Sequence, residues 1–217
     1  MSRPIERPLT KLAWLNVVLH IAGLVMAAVG MKAGSLMVPL PDRLTYLASR
    51  PAGWTIGWAT WMLCAFALIA FLAILTHRLG ERASLARLGL TIAVVGAAFD
   101  LCCDCIFILV FPMLAADQSA PERLFVVVER ITGIASMVVA NGCYSIGILL
   151  ITIQLRERVG MSCLTILVGY AVAACGLVLS AAGFTWLGWH AALATGPTIL
   201  LFCVWVVLVA RTEEKLG

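Results

Sequence analysis

The sequence predicts an all-α membrane protein, a polytopic bundle of six transmembrane helices with both termini in the cytoplasm. Its composition indicates a membrane protein: of 217 residues, 63% are hydrophobic and 12% are charged, with a mean hydropathy of +1.05. A soluble domain is about half apolar and a quarter charged. In addition, six separate stretches stay apolar over the roughly 20 residues that a helix needs to cross a bilayer.

Each apolar stretch is predicted to be a helix, because an open sheet cannot satisfy its backbone hydrogen bonds in lipid. The helices form a single integral membrane domain over residues 1–217. The fourth can begin as early as Leu124, and the sixth can begin before Pro197. The segment between the first two helices is long enough to lie on the membrane or to fold over the bundle. The predicted helices cover residues 12–33, 54–75, 88–114, 131–155, 162–183 and 196–210.

The distribution of lysine and arginine predicts the orientation, because cytoplasmic loops carry the excess of positive charge. Five of the 15 basic residues lie on one side: Lys32, Arg43, Arg50, Arg123 and Arg130. The other ten lie on the side of the termini: Arg3, Arg7, Lys11, Arg78, Arg82, Arg87, Arg156, Arg158, Arg211 and Lys215. The chain is therefore placed in the cell inner (plasma) membrane with both ends cytoplasmic.

The expected partners follow from the same charges. Basic loops beside membrane spans account for the net charge of +4 without a nucleic acid, so the predicted partners are membrane lipids. Other membrane subunits or a second copy of the chain remain open alternatives.

Two acids interrupt the third apolar stretch, "AAFDLCCDCIFILV" at residues 97–110. Asp100 and Asp104 are four residues apart and therefore lie on one face of a helix. At about 1.5 Å of rise per residue, Asp100 lies roughly 20 Å from Arg87 and thus near the middle of the membrane. An ionisable residue at this depth indicates a functional site by default.

Other polar residues are predicted at comparable depths. His20, Asn141 and Tyr144 are expected to meet Asp100 near the midplane, where Asp100 is expected to be protonated or to share a hydrogen bond with His20. Asp104 lies nearer the level of Glu129 and Arg130, and an ion pair between Asp104 and Arg130 is expected. The predicted ligand- or ion-binding residues are Asp100, Asp104, His20, Asn141, Tyr144, Glu129 and Arg130.

The eight cysteines all fall in apolar segments, which does not match a secreted disulfide framework. Most are expected to pack as small hydrophobic residues. Cys102, Cys103 and Cys105 are candidate ligands for a soft metal, since thiolates favour such ions. A zinc site would require a second pair at C-x-x-C spacing, and the sequence has none. No cofactor is identified.

Four tryptophans cluster near the predicted outer interface: Trp54, Trp58, Trp186 and Trp189. They are expected to form either an aromatic belt at the lipid headgroups or an aromatic mouth for an apolar or cationic ligand.

The intramembrane polar cluster favours a protein that binds or transports a small molecule or ion. One alternative is a non-catalytic accessory or scaffold subunit, in which the same residues only hold helices together. A membrane enzyme using Asp100 and Asp104 is less favoured, because no recognised catalytic or phosphate-binding motif is present. A soft-metal carrier using the cysteines is also less favoured, because the sequence has no second C-x-x-C pair.

The charge asymmetry gives a testable topology. A reporter fused after Gly217 and another inserted at Arg156 should both score as cytoplasmic in intact cells, because both positions lie on the basic side. A control insertion at Arg123 should score on the opposite side. A reversed result for either of the first two reporters would contradict the six-span arrangement.

Overall fold

The protein is described here from a computed structural model. It covers residues 8–49, 51–117, 119, 122–184 and 188–216, except the side chains of residues 188–194, 215 and 216. All the regular secondary structure in these ranges is helical, and six helical segments are long and apolar enough to cross a membrane, which confirms the predicted fold class. The helices are α1 (Pro8–Val29), α2 (Leu40–Ala48), α3 (Ala52–Leu79), α4 (Ser84–Ala116), α5 (Glu122–Ile134), α6 (Asn141–Arg156), α7 (Cys163–Phe184) and α8 (Gly188–Leu216).

The fourth and sixth spans start earlier than residues 131 and 196, the principal predicted starts. The fourth is one continuous run, Glu122–Arg156, in which a π-helical segment, Ala135–Ala140, joins α5 to α6. The sixth span belongs to α8, which begins at Gly188 and contains Pro197 in its interior.

The helices end where the local sequence breaks the hydrogen-bond ladder. α3 begins after Pro51 and ends at Leu79, directly before Gly80, whose φ of 85° lies in the left-handed region that glycine adopts without strain. The connection from α3 to α4 is only residues 80–83. α1 begins and α8 ends on the same side of the bundle as this connection. We call this side the terminal side and the opposite one the α2 side.

The connection on the α2 side folds over the bundle. After a 3₁₀ turn at Lys32–Gly34, Pro39 and Pro41 start α2, whose residues Arg43 and Leu47 are buried. Leu47 packs into an apolar cluster with Phe111 of α4.

Small residues allow α4 and α6 to approach closely. A Cβ atom on Gly89 would lie 2.7 Å from the carbonyl oxygen of Gly147, and one on Gly147 would lie 2.7 Å from that of Gly89. Such contacts are typical of helix packing in membranes, where close van der Waals contact replaces the hydrophobic effect. In this pair of helices, α4 carries Asp100 and Asp104, and α6 carries Asn141 and Tyr144.

Two apolar clusters fill the two halves of the bundle. The cluster on the terminal side is mainly aliphatic and includes Leu72, Leu75, Ile151 and Val206. The cluster on the α2 side is mainly aromatic: Trp54, Phe107, Phe111 and Phe125 pack there with Met31, Leu47 and Cys103. Asp100, Asn141 and Tyr144 line a space that residues of both clusters border.

The α4–α6 contact should be intolerant of added volume. Gly147→Ala should destabilise the protein by about 1–3 kcal/mol, because the new methyl group meets a backbone carbonyl that cannot move aside. Gly142→Ala on the same helix is the matched control, since its nearest neighbour would be 3.7 Å away. Thermal unfolding of both variants in detergent checks this difference, and equal stability would contradict the close packing.

Candidate binding cavity

A cavity of about 380 Å³ lies between the two apolar clusters. Its wall includes Leu68, Ile148 and Phe202 from the terminal-side cluster and Trp54 and Phe111 from the α2-side cluster. A volume in this range is typical of small-molecule sites, which are mostly apolar with a few placed polar groups. Six of the seven predicted site residues line it: His20, Asp100, Asp104, Glu129, Asn141 and Tyr144.

Asp100 is held by two hydroxyl groups. The Oγ of Ser136 donates to Oδ1 at 3.0 Å, and the hydroxyl of Tyr144 donates to Oδ2 at 3.2 Å. The predicted proximity of Asp100 and Tyr144 is therefore present in the structure. Each carboxylate oxygen thus has a donor, which offsets part of the free-energy cost of placing an acid away from water.

The π-helical segment positions Ser136. The backbone N–H of Asn141 donates to the carbonyl oxygen of Ser136, and the Asn141 Nδ2 donates to the same oxygen at 3.3 Å. This amide therefore supports the segment from which Ser136 reaches Asp100. π-helical segments occur frequently at functional sites. Ser136 could not be predicted as a site residue, because nothing in "ASMVVA" signals the change of helix type.

Asp104 has a different environment. Asp104 is 1% exposed, and neither of its carboxylate oxygens has a hydrogen-bond partner among the described residues. The expected ion pair with Arg130 is wrong: Arg130 is exposed, and its α5 neighbours Phe125 and Glu129 occupy the buried face. One residue along a helix rotates a side chain by about 100°, so Glu129 and Arg130 cannot both face the bundle.

The expected ion pair joined Arg130 to Asp104. The structure instead contains an ion pair that joins Arg43 of α2 to Glu129. The Arg43 Nη1 donates to the Glu129 Oε1, and both side chains are nearly buried, at 8% and 9% exposure. The guanidinium carbon also lies 6.0 Å from the centre of the Phe125 ring. This ion pair fixes α2 above the cavity. From the sequence, Arg43 is only one of the charges of a loop, and no local pattern indicates a partner 86 residues away.

A hydrogen bond from Tyr46 adds a second attachment for α2. Its hydroxyl donates to the carbonyl oxygen of Gly30 at the end of α1, at 2.5 Å. Burial raises the pKa of Tyr46 above its usual value, so the hydroxyl remains protonated and continues to donate at neutral pH.

His20 lines the cavity without contacting Asp100. Its Nδ1 lies 2.9 Å from the carbonyl oxygen of Asn16, and its ring packs against Trp61 and Phe202. The part of the chain that the structure describes shows no hydrogen bond between His20 and Asp100, whose donors are Ser136 and Tyr144. The hydrogen bond that was expected between His20 and Asp100 is therefore not formed.

The tryptophans of α3 face inward. Trp54 is 4% exposed and donates from Nε1 to the carbonyl oxygen of Phe107 at 2.7 Å. Trp58 stacks on Phe107 with ring centres 3.9 Å apart and an angle of 8°. Both line the cavity together with Trp61, and the Trp58 Nε1 is buried with no partner in the described structure. Trp186 and the side chain of Trp189 lie outside the described residues.

The cysteines of "CCDC" do not all lie on the same face of α4. Cys103 is buried in the aromatic cluster, whereas Cys102 and Cys105 are exposed on the outer surface of α4. Within the described ranges, no group of three or more His, Cys, Asp or Glu side chains is arranged to hold a metal ion.

Comparisons with models of known protein families, with curated proteins and with solved structures found no match to this chain.

The buried ion pair above the cavity predicts an asymmetric pattern of stability. Arg43→Met should destabilise the protein by about 3–5 kcal/mol, because it leaves the Glu129 carboxylate buried without a partner. The double variant Arg43→Met/Glu129→Met should recover most of this loss, since both charges are then absent. Thermal unfolding in detergent measures the effect.

Arg123→Met is the matched control for that series, because Arg123 is an exposed arginine at the start of α5. It should leave the midpoint of unfolding nearly unchanged. A double variant that is as unstable as the single Arg43 variant would contradict the pairing.

Proposed function

We propose that this membrane protein binds a small, largely apolar molecule in the cavity between its two apolar clusters. The observation that carries this proposal is that two residues of the cavity's largely aromatic wall carry buried polar groups without partners. The carboxylate of Asp104 and the Nε1 of Trp58 are buried there without partners in the described structure. Polar groups used only to hold helices together find partners in each other.

The position of the cavity supports access from the α2 side. Residues of the connection between α1 and α2, including Gly34, Ser35 and Met37, line it at that side. Toward the terminal side, the buried side chains of Leu72, Leu75 and Val206 pack into a continuous apolar cluster. Passage of a ligand to the other side of the membrane requires this cluster to open, so binding is the function that the geometry supports best.

Filling the cavity should abolish binding. Ala65 of α3 is 4% exposed and lines the cavity, so Ala65→Phe places a ring in the space that a ligand would occupy. Equilibrium binding of radiolabelled triphenylphosphine oxide and methyltriphenylphosphonium to protein in nanodiscs, with empty nanodiscs subtracted, measures the effect. Ala65→Phe should weaken the binding of whichever of these probes binds by at least about tenfold.

The matched control is Ala98→Phe, which adds the same ring at an exposed position of α4. It should bind like the wild type. Ala65→Leu is a smaller addition, and it should give an intermediate affinity if Ala65→Phe folds poorly. Wild-type protein that binds neither probe better than Ala65→Phe does would contradict the proposed function.

A further inference from the structure

We infer that the ligand is a lipophilic organic cation, such as a substituted amine or a quaternary ammonium or phosphonium group, whose charge pairs with Asp104. This inference rests on the proposed function and names the ligand class for the same cavity. It depends on the charges that line the cavity and on the position of the aromatic wall.

The lining charges are predominantly acidic. Asp100, Asp104 and Glu129 all line the cavity, whereas no lysine or arginine does so among the described residues. The guanidinium group of Arg43, which contacts the lining residue Glu129, is already paired with it. An anionic ligand would meet carboxylates without a compensating cation, so the lining disfavours it.

The two acids of α4 are not equivalent. Asp100 accepts hydrogen bonds from Ser136 and Tyr144, so its oxygens already have donors. Both Asp104 oxygens lack a partner in the described structure, although the residue is 1% exposed. A carboxylate without water or a donor is costly in a medium of low dielectric constant. A bound cation supplies the missing counter-charge at this position.

The aromatic wall lies beside the same carboxylate. Phe107 is three residues after Asp104 and therefore on the same face of α4, and Trp58 stacks on Phe107 at 3.9 Å. The faces of tryptophan and phenylalanine rings attract organic cations, and quaternary ammonium groups are bound by aromatic cages. A carboxylate next to stacked rings is thus suited to a cation with apolar substituents.

A small inorganic cation fits this environment less well. Hard cations such as Ca²⁺ and Mg²⁺ need about six oxygen ligands, with several from protein or ordered water. The described residues contain no cluster of three or more acidic, histidine or cysteine side chains arranged for a metal. Most of the wall around Asp104 is aromatic or aliphatic, which matches a ligand that carries its own apolar surface.

Two ligands of nearly the same shape test the inference. Methyltriphenylphosphonium and triphenylphosphine oxide share three phenyl groups on phosphorus. The fourth substituent is a methyl group in the first, which is a cation, and an oxygen in the second, which is neutral. Binding of each to wild-type protein in nanodiscs, with empty nanodiscs subtracted, should favour the phosphonium ion by at least about tenfold. Asp104→Asn should remove this preference by weakening the binding of the phosphonium ion, and the neutral oxide should still bind.

Two further variants control for general effects. Glu122→Gln removes an exposed carboxylate at the start of α5, and it should retain the wild-type preference. Trp58→Leu removes the stacked ring and should weaken both ligands. Retained binding of the oxide by Asp104→Asn shows that this variant is folded, and the wild-type comparison decides the ligand class even if it is not.

The outcomes separate the two proposals. Equal binding of both ligands, or tighter binding of the oxide, with both weakened in Ala65→Phe, would overturn the cation inference and leave the cavity as a small-molecule site. A phosphonium preference that persists in Asp104→Asn would overturn the role of Asp104. Binding of neither ligand above the Ala65→Phe level would overturn the proposed function itself.

Discussion

A polar group that lies in the hydrocarbon region of a bilayer has no water to bind, so it must find its partners inside the protein. This constraint organises the whole bundle. The amide nitrogen of Asn16 illustrates it: the residue is fully buried, and its Nδ2 donates to the carbonyl oxygens of Leu12 and Ala67, which joins α1 to α3, although its Oδ1 has no partner among the described residues. The same constraint turns Asp104 and Glu129 inward, while large apolar residues such as Val18 and Leu109 occupy the exposed surface. The cavity lies where these inward-facing groups meet between two apolar clusters.

The parts of the fold that depend on residue type and helical rise could be predicted from the sequence. The six spans follow from runs of apolar residues, and the contact between Tyr144 and Asp100 follows from counting residues along each helix. The pairing of Asp104 with Arg130 failed because depth alone does not determine which face of a helix a residue occupies. In α5, Phe125, Glu129, Thr132 and Gly133 form the buried face, and this spacing places Arg130 on the exposed face.

The rest of the site could not be predicted because it depends on contacts between distant segments. Arg43 reaches Glu129 only because α2 folds over the bundle, and a loop of this length could equally have lain on the membrane surface. Ser136 reaches Asp100 from a π-helical segment, and its carbonyl oxygen is satisfied by Asn141 five residues later. The inward turn of Trp54 likewise depends on a hydrogen bond to the backbone of Phe107 in another helix. None of these contacts has a signature within a short window of sequence.

The contrast between the acids also bears on the alternative of a scaffold subunit. Polar residues that hold helices together contribute on the order of 0.6 kcal/mol for each interhelical hydrogen bond, and they do so only when a partner is present. Asp100 and Glu129 fit that role, since each bonds to another helix. Asp104 does not fit it, because its buried oxygens contact no donor in the described structure and so incur a desolvation cost without a compensating bond. Under the proposed function, a cation that enters the cavity would offset this cost, so Asp104, rather than Asp100 or Glu129, is the acid that distinguishes a binding protein from a scaffold.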